Sequence, residues 1–216
     1  MAVLKVGVLI SGRGSNAMAL IEAGLAHNYP ARVATVISNR LEAPGLRFAH
    51  EAGIKTATVN HHSYAGREAF EREIDARLKE AGAQLVCLAG FMRVLSPWFT
   101  EQWRDRLINI HPSLLPAFPG LDTHKRALAA GVKFAGCTVH FVRAELDHGP
   151  IIAQAAVPVM PGDDEAKLAA RVLEAEHKLY PQAVRLIAEG RVNIFEETVF
   201  IEGALAPVAT LFNPVL

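Results

Sequence analysis

Cysteine is scarce in this 216-residue chain, with two in all, Cys87 and Cys137. Both fall in apolar strand-like runs, where an unpaired thiol behaves as a small hydrophobe, and neither has a metal-type partner near it in sequence. No metal site is therefore expected, and the setting read from cysteine usage is reduced and cytoplasmic. An excess of charge of either sign is also missing. Lysine plus arginine equals aspartate plus glutamate at 22 each, so no global field favours nucleic acid or an anionic membrane surface. Apolar runs of transmembrane length are absent. The stretch Met1–Ile10 is interrupted by Lys5 and has no small-residue cleavage site behind it, so it does not read as a signal peptide. Repeats, low-complexity segments and linkers are lacking too. What is present is a chain that is 51% hydrophobic, enough for a sizeable core in one domain over 1–216 with a small-molecule ligand.

Apolar β-branched runs alternate with longer amphipathic stretches. Strands are predicted at Val6 to Ile10, Val33 to Ile37, Thr56 to Val59, Leu85 to Ala89 and Leu107 to His111. Helices are predicted at Asn16 to Ala26, Ala43 to Ala52 and Arg67 to Ala81, two of them closed by Gly53 and Gly82. This alternation is that of an α/β fold, a doubly wound and mostly parallel sheet. Beyond a loop at Pro112 to Asp122 and a short helix at His124 to Ala130, strands at Thr138–Val142 and Ile151–Val157 are expected to pair antiparallel. A long helix then starts near Asp164, with Pro181 inside it, and Val192 to Ile201 reads as a terminal hairpin.

The most informative segment is Ile108-Asn109-Ile110-His111-Pro112. Alternation along a strand points Asn109 and His111 to the same face. Pro112 ends the strand, which places both at a carboxyl end, where parallel α/β sheets bind ligands. An amide donor beside an imidazole suits a reaction that builds negative charge on a carbonyl oxygen. After the first strand comes Ser11-Gly12-Arg13-Gly14-Ser15-Asn16-Ala17, a glycine-rich turn opening into a helix, which is the arrangement of a phosphate site. The same stretch matches G-x-G-x-x-A, and Asn39-Arg40 after the second strand offers a place for a 2′-phosphate, so an NADP-dependent reductase is a rival reading. No Asp or Glu lies between Val33 and Arg40 to hold a ribose, and that reading leaves Asn109 and His111 unexplained.

Asp147 lies in Glu145-Leu-Asp-His-Gly-Pro150, a turn fixed by Gly149 and Pro150, and is the acidic candidate. His148 reads as a solvated loop residue and His140 as a core or lining histidine. Glu174, Glu176 and His177 read as a solvated helix face unless Pro181 kinks that turn toward the site.

Together, Ser11–Asn16, Phe91–Leu95, Asn109–Pro116 with Gly120, Leu146-Asp147 before Gly149-Pro150, and Glu176-His177 resemble the phosphoribosylglycinamide formyltransferase family, over nearly the whole chain. The resemblance implies formyl transfer from 10-formyltetrahydrofolate to the amine of 5-phosphoribosylglycinamide, without a metal. It implies a catalytic set of Asn109, His111 and Asp147, and a substrate site of Gly14, Ser15, Asn16 and Glu176. It implies a folate site of Arg67, Met92, Arg93, Val94 and Leu95, with backbone from Val142 and Arg143 onward. Residues 1–105 would form the phosphate-binding half and 106–216 the folate-binding and catalytic half, in a monomer or homodimer. Formyltetrahydrofolate hydrolase shares the Asn-x-His and Leu-Asp pattern and is the second reading. Its usual amino-terminal domain has no counterpart before the first strand.

Overall fold

The computed structural model describes residues 3–205 and 209–214. The ends of the expected domain, 1–2 and 215–216, and residues 206–208 lie outside the described residues. Seven strands form one sheet in the order β3-β2-β1-β4-β5-β6-β7. These are β1 (Leu4–Ile10), β2 (Ala31–Ser38), β3 (Lys55–Thr58), β4 (Leu85–Leu88), β5 (Leu107–His111), β6 (Phe134–Phe141) and β7 (Ile151–Pro158). The first five pair in parallel, β6 runs antiparallel to β5, and β7 antiparallel to β6. The helices are α1 (Ser15–Leu25), α2 (Pro44–Glu51), α3 (Arg67–Glu80), α4 (Pro97–Gln102), α5 (Thr123–Ala129) and α6 (Glu165–Ala188). Strands β8 (Val192–Phe195) and β9 (Thr198–Ile201) pair as the terminal hairpin.

Alternation along the strands feeds two cores. Val6, Val8 and Ile10 pack with α1 and α6 through Leu20, Leu168 and Val172. Leu9 faces the other way, onto Phe70, Ile74 and Leu78 of α3 and Phe99 of α4. Burial on both faces is what holds a parallel sheet together, each large side chain contributing roughly 1.5–3 kcal/mol. The chain winds outward from β1 in one direction to β2 and in the other to β4. The crevice between the ends of β1 and β4 is thus the topological switch point, where such sheets take ligands.

Two elements depart from expectation. Strand β6 starts at Phe134 rather than Thr138, because Ala135-Gly136 pair with Ala156 and Val157 on β7. The approach is so close that a Cβ on Gly136 would lie 2.0 Å from the Ala155 carbonyl oxygen. Helix α4 was not expected at all, being six residues long and too short to show a period. Its signal is local instead: Ser96 caps it by accepting the Phe99 N–H, and Pro97 opens it.

Candidate active site

Three segments converge at the carboxyl ends of β1, β4 and β5. On β5, Asn109 and His111 share the face that carries Leu107, as the alternation required. Register sets Asn109 opposite His140 of β6 and His111 opposite Thr138. His111 is buried, 5% exposed. Its Nδ1 faces the Asp147 carboxylate at 3.4 Å, and its Nε2 lies 3.0 Å from the Phe118 carbonyl oxygen. Both ring nitrogens thus meet oxygen acceptors, an arrangement that a protonated imidazole satisfies in full. Asp147 has left-handed backbone, φ 52, and its other carboxylate oxygen accepts the Gly120 N–H at 2.7 Å. That bond ties the loop after β6 to the loop after β5. Thr138 completes the wall: its hydroxyl donates to the Ser113 carbonyl and accepts the Leu115 N–H, fastening the chain that follows His111.

His140 has a larger part here than a lining residue. Its Nδ1 lies 2.9 Å from the Phe141 carbonyl oxygen, so that nitrogen carries the proton and leaves Nε2 as the acceptor. Nε2 takes the Asn109 side-chain N–H at 3.3 Å. The amide is thereby oriented, with one N–H held and the other free. Burial pushes the His140 imidazole below its usual range, against the Phe141 carbonyl and Asp147, which act the other way; the shift favours the neutral ring. The signal in the sequence was the alternation of His140 with Thr138, but its partner depended on strand register.

At the end of β1, Gly14 takes left-handed backbone, φ 69, and caps α1 without a side chain. The first turn of α1 contains no acidic residue, so the helix's leading N–H groups and its positive end are left for an anion. Asn16 is buried, and its side-chain amide donates to Glu176 at 2.7 Å, while its own carbonyl oxygen has no partner. Glu176 is therefore not on a solvated face. It shares the buried stripe of α6 with Leu168, Val172 and Leu179, and the helix runs unbroken through Pro181 to bring it there. Burial raises the Glu176 carboxyl above its usual range, partly offset by the Asn16 amide. Glu174 is exposed, as expected.

The loop after β4 is braced from both ends. Ser11 donates to Asn39 at 2.6 Å and accepts the Met92 N–H at 2.8 Å, joining the glycine-rich turn to this loop. At the far end the buried Glu71 of α3 accepts the Ser96 N–H and hydroxyl. Between them Met92, Arg93 and Val94 are exposed and Leu95 is buried. Among the described residues the N–H groups of Arg93 and Val94 have no partner. Arg67 is exposed at the start of α3. The pair weighed for a 2′-phosphate is split, since Asn39 is buried and engaged with Ser11, whereas Arg40 is exposed. Val142 and Arg143 lead from β6 into the Asp147 loop. The Arg143 side chain points to Glu197 and Asp105 through ion pairs of 2.6 and 2.8 Å, so only its backbone is left for a ligand. Both thiols are inert by the same measure, pushed up to about 12 by burial.

Among the described residues no helix is long and apolar enough to cross a membrane, and no group of three or more His, Cys, Asp or Glu is placed to hold a metal.

A switch-point crevice with an anion-ready helix end, an oriented amide and a carboxylate-backed imidazole defines a group-transfer enzyme acting at a carbonyl. The chain belongs to the formyl transferase family, whose model matches residues 4–184. It is 44% identical to the phosphoribosylglycinamide formyltransferase of Escherichia coli (strain K12) over 204 residues, 94% of this chain and 96% of that protein. It is 49% identical to the human trifunctional purine biosynthetic protein adenosine-3 over 192 residues, but spans only 19% of that protein's length. Of solved structures, glycinamide ribonucleotide transformylase 1 from Symbiobacterium toebii is 48% identical with a TM-score of 0.90, covering 92% of this chain and 94% of that one. The family brings with it a folate-derived formyl donor.

Proposed function

We propose that this single-domain protein transfers the formyl group of 10-formyltetrahydrofolate to the primary amine of 5-phosphoribosylglycinamide, releasing tetrahydrofolate and the N-formyl product, as a step of purine biosynthesis. The observation that carries the reading is the cluster of half-buried Asn109 and buried His111 at the end of β5 with Asp147 from the loop after β6, and with His140 hydrogen-bonded to the amide. Attack of the amine on the formyl carbon moves negative charge onto the formyl oxygen. The free Asn109 N–H is one donor that meets it, and the His111 imidazole is the second, its Nε2 turning from the Phe118 carbonyl oxygen to the substrate while Nδ1 stays on Asp147. The amine sheds a proton as the carbon–nitrogen bond forms, and Asp147 is the base assigned to receive it, directly or through water; collapse of the adduct then breaks the bond from the formyl carbon to the donor nitrogen, which takes up that proton and leaves as tetrahydrofolate.

The acceptor's phosphate is assigned to the N–H groups of Gly14, Ser15 and Asn16, and its nucleotide body to Glu176. The donor is assigned to the loop of Met92, Arg93, Val94 and Leu95, to Arg67, and to the backbone of Val142 and Arg143. The unpaired N–H groups of Arg93 and Val94 match the acceptors of a heterocyclic ring. Acceptor and donor sites are thus neighbours, joined by the Met92 N–H bond to Ser11, with the catalytic cluster beside them at the next strand. The protein is read as acting in the cytoplasm on small molecules, as a monomer or homodimer.

Following folate absorbance on mixing protein and 10-formyltetrahydrofolate, with and without the acceptor, tests the reading. Release of tetrahydrofolate only when the acceptor is present is the expected result. Release without acceptor would make the protein a hydrolase, and no release under either condition would remove the activity.

A further inference from the structure

The loop that positions Asp147, residues 142–150, is thinly anchored on its first half. Val142 donates its N–H to the Leu107 carbonyl at 2.9 Å, and Ala144, Glu145 and Leu146 are exposed. Val142 packs against the core around Phe99 and Leu107, and beyond it Arg143 is the side chain that reaches the terminal hairpin. Its side chain is 13% exposed. Nε donates to Glu197 at 2.6 Å, and Nη2 donates to Asp105 at 2.8 Å and to Glu197 at 3.2 Å. Glu197 is also held by Arg104 at 2.9 Å. The Arg143 contact holds the Glu197 carboxyl below its usual range.

Glu197 sits in an unfavourable place for a glutamate. It and Glu196 form the two-residue turn between β8 and β9, with φ 46 and 58. A turn with both central residues left-handed favours Asn-Gly, and a side chain with a long stem is disfavoured there. Asp105, the other partner of Arg143, is left-handed as well, φ 57. Two of these left-handed acidic residues, Glu197 and Asp105, thus converge on one guanidinium. Backbone strain retained beside a functional loop points to a role beyond turn formation.

We propose that Glu197 and Arg143 form a latch through which the terminal hairpin fixes the entry of the Asp147 loop, making Glu197 a positioning residue for a carboxylate it never touches. Glu197 is half exposed, but its two-point hold on the mostly buried Arg143 guanidinium gives the pair a fixed direction that a single-contact surface ion pair lacks. The proposal rests on the catalytic role of Asp147.

The test is steady-state kinetics of the full chain carrying Glu197→Gln, Arg143→Met, Asp147→Asn, or Asp147→Asn with Glu197→Gln, with Glu51→Gln as a control in a remote surface pair. Glu197→Gln and Arg143→Met should each lower kcat about tenfold at unchanged acceptor KM, less than the ~10² that a 1 Å misplacement of a catalytic group costs. In the Asp147→Asn background, Glu197→Gln should lower kcat no further, since a group acting through Asp147 has nothing left to act on. Wild-type kcat in both single variants, or a full additional loss in the Asp147→Asn background, would overturn the latch. Wild-type turnover in Asp147→Asn would instead overturn the catalytic reading beneath it.

Discussion

The two ends of the crevice are built from different materials. At the end of β1 the site is made of backbone: a left-handed glycine and the open N–H groups of α1, with Asn16 and Glu176 behind them. At the end of β5 it is made of side chains drawn from three segments and held in two pairs, half-buried Asn109 with buried His140 and buried His111 with Asp147. Backbone donors carry a fixed partial charge that does not titrate, which suits holding a phosphate at any working pH. The side-chain cluster contains groups that can gain or lose a proton, which suits moving charge and protons during a reaction. The proposed function makes binding and chemistry separable here, so that changes at one end should alter acceptor affinity and changes at the other should alter turnover.

The sharpest break in that division would come from the cluster itself. Asn109→Ala and Asp147→Asn should each lower kcat by at least ~10², corresponding to about 3 kcal/mol of transition-state stabilisation, with acceptor KM changed little. Steady-state kinetics at saturating donor checks this, and a rise in KM at intact kcat would assign these residues to binding instead. At the other end, Gly14→Val should raise the acceptor KM by ~10-fold or more and leave donor binding as it was. A branched Cβ resists the left-handed backbone and would sit 3.1 Å from the Gly45 Cα. Titration of a non-reactive folate analogue against this variant supplies the donor half of the comparison.

The smallest effect expected is the one that reports on pH. The folded His140 ring holds its proton less well than its ordinary value of 6.5, so below that pH the unfolded chain binds the extra proton first. Stability contributed by the neutral ring is therefore present above about 6.5 and lost as pH falls through the window beneath it. His140→Phe should flatten the fall of the unfolding midpoint in that window, and should lower kcat several-fold by releasing the Asn109 amide. An unchanged pH slope would show that His140 is not the group responsible.

Much of this was legible in residues alone, for physical reasons. Strands β1, β2, β4 and β5 announce themselves because both faces are largely buried and the runs are mostly apolar, whereas β3, an exposed edge strand, shows itself only through its β-branched threonines. Asn109 and His111 stand out because a polar pair interrupts such a run at the proper spacing. Gly14 was readable from the order strand, turn, helix. The residues that escaped were those whose meaning lies in a distant partner. His140 matters through cross-strand register with Asn109, and Glu176 through a buried stripe of α6 that it shares with leucine and valine while looking like a surface charge. The Arg143 side chain needed the terminal hairpin to be folded against it. Helix α4 and the first half of β6 escaped because six residues and a glycine-bearing strand end give no periodic signal.

The central claim is that the imidazole of His111 takes part in the chemistry rather than in holding either ligand. Single-turnover formyl transfer by His111→Ala, measured beside the dissociation constants of the acceptor and of a non-reactive folate analogue, tests it most directly. The account predicts dissociation constants within a few-fold of the parent chain and transfer slowed by at least ~10². Transfer at the parent rate, or a loss explained entirely by weaker binding, would contradict it.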